Sequence, residues 1–114
     1  MENSFWILTS QGASYPTLDK DIDTDCLIVG AGLTGLHTAY MLSDIGKKIV
    51  VLESDKVGYG SSGRNTGKIT SSHGLIYDSI SKKYGDEKSR LYYEANEDGL
   101  KLIKNIIKKY NIDC

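Results

Sequence analysis

Three glycines, one carboxylate and a cluster of hydroxyls are the residues of this chain whose types and spacing could do chemistry. Gly30, Gly32 and Gly35 stand in the order G-x-G-x-x-G, and Glu53 follows 23 residues after the first of them. That arrangement suits a dinucleotide held by its pyrophosphate. Gly30 permits a tight turn, Gly32 has no Cβ to keep the backbone from the phosphates, and Gly35 lets a following helix pack close to the preceding strand. A helix beginning near Leu33 would aim its first N–H groups and its positive end at the phosphates, with Thr34 in the same turn. A carboxylate at Glu53 can accept hydrogen bonds from ribose hydroxyls. The glycine spacing alone is a weak signal, and the alternative is a tight turn in some other α/β protein.

The elements needed to position these groups are present in order. Cys26-Leu27-Ile28-Val29 reads as a strand, a helical segment runs to about Asp44, Gly46 turns the chain, and Ile49-Val50-Val51-Leu52 reads as a second strand ending on Glu53. Together they predict one βαβ unit. Lys68–Thr70 is a weak third strand. The segment 54–72 interleaves Gly58, Gly60, Gly63 and Gly67 with Ser61, Ser62, Asn65 and Thr66, and adds Arg64 and Lys68. Such a loop can wrap an anionic ligand with backbone N–H groups, although the composition fits a flexible surface loop equally well.

Residues 1–24 read as an arm whose stretch Ser4–Leu8 is apolar enough to dock, with Phe5 and Trp6 packing onto their own domain. Residues 73–84 predict a helix that His73 starts and Gly85-Asp86 closes. Asp86 to about Asn111 predicts a long amphipathic helix with Tyr92, Ala95, Gly99, Leu102, Ile103, Ile106 and Tyr110 on one face. His37 and His73 have no partner at ligand spacing, so no metal site is assigned. Arg90, in an exposed helix, is given no role, and no catalytic residue is named.

Composition narrows the function classes. The net charge of −1 offers no basic excess for nucleic acid or an anionic membrane. No apolar run approaches the ~20 residues of a membrane span, and the N-terminus does not read as a secretory signal. Cys26 and Cys114 form no disulfide framework, which fits a reducing cytoplasm. Two or three strands are few for a doubly wound parallel sheet, so the 114 residues are expected to be the N-terminal piece of a longer protein. By itself such a piece is expected to self-associate or stay partly disordered, with negligible activity.

The order IVGAGLTGL, VVLE, GYGSSGRNTG resembles the flavin-dependent oxidoreductases of the D-amino-acid oxidase and glycine oxidase type. The segments SFWILTS…YPTLDKDI and GKITSSHGLIYDSI…YYEAN look closer still to bacterial members that carry a C-terminal Rieske domain. The resemblance covers essentially the whole chain. It implies an α/β fold: the N-terminal part of a Rossmann-like FAD-binding domain, followed by helices. The implied division is an arm at 1–24, a βαβ FAD-binding unit with its loop at 25–72, and a helical segment at 73–114 that leaves the domain incomplete. It also implies FAD as cofactor and a small amine or amino acid as substrate. Gly30, Gly32, Leu33, Thr34 and Gly35 would meet the pyrophosphate, and Glu53, with Ser54 beside it, the adenosine ribose. Ser61 and Ser62 would continue the cradle, and Thr66, Gly67 and Lys68 would lie toward the flavin ring. The sequence has no Cys-x-His…Cys-x-x-His pattern for a Rieske cluster of its own. Two other readings of the chain are a nicotinamide-binding dehydrogenase fragment and a truncated, non-catalytic dinucleotide-binding module.

Overall fold

A computed structural model describes residues 4–114. The chain divides into two compact units, Met1–Thr66 and Gly67–Cys114.

The first unit contains a short helix α1 (Phe5–Thr9), strand β1 (Cys26–Val29), helix α2 (Leu33–Leu42) and strand β2 (Ile49–Leu52). A 3₁₀ turn, Ser43–Ile45, follows α2, and another, Ser61–Arg64, lies beyond β2. The strands pair in parallel, with Cys26 opposite Ile49 and Val29 opposite Leu52, as the βαβ reading requires. Their β-branched residues suit an extended backbone. Gly46 takes the left-handed conformation, φ 68°, that releases the chain from the helical segment into β2. At the start of the pair, the Asp25 carboxylate accepts the Lys48 amide at 2.9 Å and the Thr24 hydroxyl donates to the Lys48 carbonyl at 2.6 Å. These two bonds set the register before the ladder begins.

Along β1 the residues alternate. Cys26 and Ile28 are half-buried, while Leu27 and Val29 are exposed. Helix α2 lies on the Ile28 side, and its approach depends on Gly35. A Cβ at that position would stand 2.0 Å from the Gly30 carbonyl oxygen and 3.3 Å from Ile28 Cγ2. Between turn and helix sits Ala31, the only buried hydrophobic residue among the described residues.

The second unit is a pair of helices, α3 (Ile76–Tyr84) and α4 (Asp86–Tyr110), joined at Gly85, whose φ of 87° ends one helix and begins the other. Tyr77 of α3 meets the rings of Tyr92 and Tyr93 edge-on at 5.8 and 5.9 Å, and the Ser89 hydroxyl donates to the Tyr77 carbonyl at 2.9 Å. Helix α4 ends on Asn111 in the left-handed region, where the Ile112 amide closes on the Ile107 carbonyl at 3.0 Å.

Three expectations are corrected. Lys68–Thr70 forms no strand, because it has no ladder partner among the described residues. His73 stands before α3 rather than at its first residue, since the chain makes a turn through Gly74, φ 62°. On α4, Tyr92, Ala95, Gly99 and Tyr110 are exposed, while Ser89, Asn96, Leu100, Ile103 and Ile107 form a half-buried stripe, with Leu102 and Ile106 half-buried beside it. The covered side is set by α3, whose Tyr77 meets Ser89, Tyr92 and Tyr93, contacts that no periodicity reveals.

Two alanine substitutions should move stability in opposite directions. Gly35→Ala drives a methyl into a backbone carbonyl and should cost on the order of 1–3 kcal/mol. Gly99→Ala enters open space inside α4 and should gain up to about 1 kcal/mol. Urea titrations followed by circular dichroism would read both, and equal effects would contradict the close approach at Gly35.

Candidate functional site

The glycine turn leaves β1 with Gly30 at φ 98°, a conformation that disfavours a side chain, and the Gly30 amide donates to the Leu52 carbonyl at 2.7 Å. This bond brings the end of β2 beside the turn. Glu53 then reaches back across the strands. Its Oε2 accepts the Ala31 amide at 2.8 Å, while Oε1 accepts the Asp55 amide at 3.1 Å and the Ser54 hydroxyl at 3.3 Å. The Ala31 bond, then the Asp55 bond, hold the Glu53 carboxyl below the usual carboxylate range. Glu53 remains exposed, so a ribose hydroxyl could still approach it.

A second tie comes from the loop after β2. The Gly58 amide donates to the Ala31 carbonyl at 2.9 Å, so both polar groups of Ala31 are engaged. Farther on, the Ser62 hydroxyl accepts the Leu33 amide at 2.9 Å, at the first residue of α2. Gly32, the N-cap, has no side chain to do this, and a Cβ there would lie 2.9 Å from Ser62 Oγ. Thr34 and Gly35 carry the next first-turn amides, which have no carbonyl partner within their helix. An anion at this helix end would meet N–H groups, the positive end of the helix dipole and a hydroxyl.

The structure therefore brings together Gly30, Gly32, Leu33, Thr34 and Gly35 with Glu53, Ser54 and Ser62. Ser61 stands exposed at the start of its 3₁₀ turn, and Thr66 is exposed at the end of the first unit. Gly67, with φ 67°, and Lys68 belong to the second unit. Arg64, one of the two cations noted in the loop, folds back with its guanidinium 4.3 Å from the Tyr59 ring centroid and donates to the Gly60 carbonyl at 3.3 Å. Sequence reasoning did not single out Ala31 as the hub of the turn. A small residue between two glycines was the available signal. The Gly58 amide left no local signal, and the apolar stretch of the arm signalled docking without showing that its place is the loop at Gly63 and Asn65.

Comparison with known proteins bears on this geometry. A family model described as FAD dependent oxidoreductase matches residues 25–114. Over 97% of its length the chain is 37% identical to YhfW of Bacillus subtilis, named for a Rieske 2Fe-2S iron–sulfur protein. It is 39% identical, over 90% of its length, to gamma-glutamylputrescine oxidoreductase of Escherichia coli. Over 73% of the chain it is 34% identical to an L-amino-acid oxidase of Sistrurus catenatus edwardsii. The chain spans 22%, 24% and 18% of these three relatives, respectively. No solved structure matches it. Among the described residues no helix is long and apolar enough to cross a membrane.

The lowered carboxyl at Glu53 gives a pH signature. A group whose folded pKa is depressed contributes stability above its unfolded value and loses it as pH falls through the folded value. Glu53→Gln should therefore be less stable than the parent at neutral pH, and the gap should close on acidification below the ordinary carboxylate range. Unfolding midpoints at both pH values test this; a gap that does not change with pH would show that the charge contributes nothing.

Proposed function

The chain belongs to the FAD dependent oxidoreductase family, and from that premise we propose that residues 25–72 are its FAD-binding unit, with 1–24 as an arm before it and 73–114 as a helical segment after it. The observation that carries this is the clasp at the glycine turn, where Glu53 holds the Ala31 amide while Ser62 meets the first amide of α2. The residues fit the cofactor. The helix end without a side chain at Gly32 suits the pyrophosphate, and an exposed carboxylate at the end of β2 suits a ribose. Gly30, Gly32, Leu33, Thr34 and Gly35 would hold the phosphates, Glu53 and Ser54 the adenosine ribose, and Ser61 and Ser62 the opposite side. Thr66, Gly67 and Lys68 would extend the cradle toward the flavin.

When bound, FAD supplies the redox chemistry, and the protein's part is to hold and orient it. The names of two relatives, gamma-glutamylputrescine oxidoreductase and L-amino-acid oxidase, support an amine or amino acid as the substrate of the whole protein. Free thiols at Cys26 and Cys114 are in keeping with a cytoplasmic location. The exposed Leu27 and Val29 face of the sheet is consistent with self-association of the 114-residue chain.

Gly32→Ala separates binding from folding. Ser62 Oγ ends a rotatable side chain and can turn from the new methyl at the expense of its bond to the Leu33 amide, so stability should fall by no more than about 1 kcal/mol. FAD affinity should fall at least about tenfold, ~1.4 kcal/mol, because the methyl stands where the pyrophosphate must approach. Calorimetric titration with FAD would decide, and wild-type affinity in this variant would contradict the phosphate assignment.

Glu53→Ala distinguishes the ribose role. It should weaken FAD more than FMN, which lacks the adenosine. Parallel titrations with the two flavins and with NAD test the point. Equal losses for both flavins would remove the ribose role, and a preference for NAD would favour a nicotinamide-binding unit.

A further inference from the structure

Helix α1 lies outside the residues that match the family model, yet its polar contacts to other segments go to the loop that carries Ser62. The Ser4 hydroxyl donates to the Gly63 carbonyl, and the Trp6 indole N–H donates to the Asn65 carbonyl at 2.8 Å. Between these bonds Ile7 packs on Gly63. A Cβ on Gly63 would come within 2.5 Å of the Gly58 carbonyl oxygen and 3.2 Å of the Ile7 side chain, so α1 and the loop meet without a spacer. The same short turn is tied internally, the Asn65 side-chain Nδ2 donating to the Ser62 carbonyl at 2.6 Å. Ser62 thus stands between two fixed points, with its backbone held from the side of α1 and its hydroxyl set on the Leu33 amide. A hydroxyl that accepts from an amide keeps its own hydrogen to donate. At this helix end, that hydrogen is available to a phosphate oxygen.

We propose that α1 is a positioning element for the cofactor loop: by pinning the Gly63 and Asn65 carbonyls it holds the Ser62 hydroxyl over the start of α2, and so sets dinucleotide affinity without touching the nucleotide. The proposal rests on the reading that this helix end receives the pyrophosphate. Trp6 and Ser4 are positioning residues, acting through Ser62. Preorganisation is the physical gain, since a loop already held in its binding geometry loses less freedom when the ligand arrives.

The test uses the 114-residue chain with Trp6→Phe, which keeps an aromatic ring and removes the indole donor, together with Ser62→Ala and the double variant. Without ligand, amide hydrogen exchange at Leu33 should rise about threefold or more in Trp6→Phe and in Ser62→Ala, while the Gly30 and Leu36 amides, bonded to Leu52 and Gly32, keep their rates. FAD affinity should fall about three- to tenfold in Trp6→Phe, and adding Trp6→Phe to Ser62→Ala should cost nothing further. An unchanged Leu33 amide, a uniform rise across all amides, or additive losses of affinity would overturn the positioning role. Absence of FAD binding by the unmodified chain overturns the reading that these 114 residues hold the cofactor by themselves, whereas the Leu33 amide judges the coupling of α1 to Ser62 whatever the flavin result.

Discussion

Helix α2 can begin where it does only because Gly35 presents no side chain to the Gly30 carbonyl. With a Cβ 2.0 Å from that oxygen, the first turn of the helix would have to lift away from the end of β1. The rest of the site depends on this close approach. It encloses Ala31, brings the Ala31 amide within reach of the Glu53 carboxylate, and presents the Leu33 amide to Ser62. The site is therefore defined as much by an absent side chain as by the polar groups around it.

The first unit gains little from apolar burial. The strand pair and α2 leave Leu27 and Val29 exposed, and the hydrogen bonds at Lys48, Ala31 and Leu33 do much of the positioning. Each such bond contributes roughly 0.5–1.5 kcal/mol net, because water competes for the same groups. A ligand that engages the same amides adds to folding stability by linkage. The second unit is organised differently, by edge-on tyrosine contacts between α3 and α4 and a left-handed stop at Asn111. Its exposed ion pairs, such as Arg90 with Glu94 at 2.8 Å, decorate a surface and contribute little.

Along the chain, the amino-acid sequence determined whatever local stereochemistry settles. Both strands, the helix start at Leu33, the turn at Gly46, Glu53 at the end of β2 and the long span of α4 follow from apolar periodicity, β-branching and the positions of glycine, which act over a few residues. The tertiary structure alone decided which side of α4 is covered, whether Lys68–Thr70 finds a strand partner, and where the arm goes. Trp6 and Asn65 are 59 residues apart, and the hydroxyl of Ser62 meets an amide 29 residues earlier. Such contacts depend on how separate elements pack, and no spacing within either segment encodes them. That is why the glycine turn could be read from the sequence, while the Ser62 bond that completes it and the helix that holds Ser62 could not.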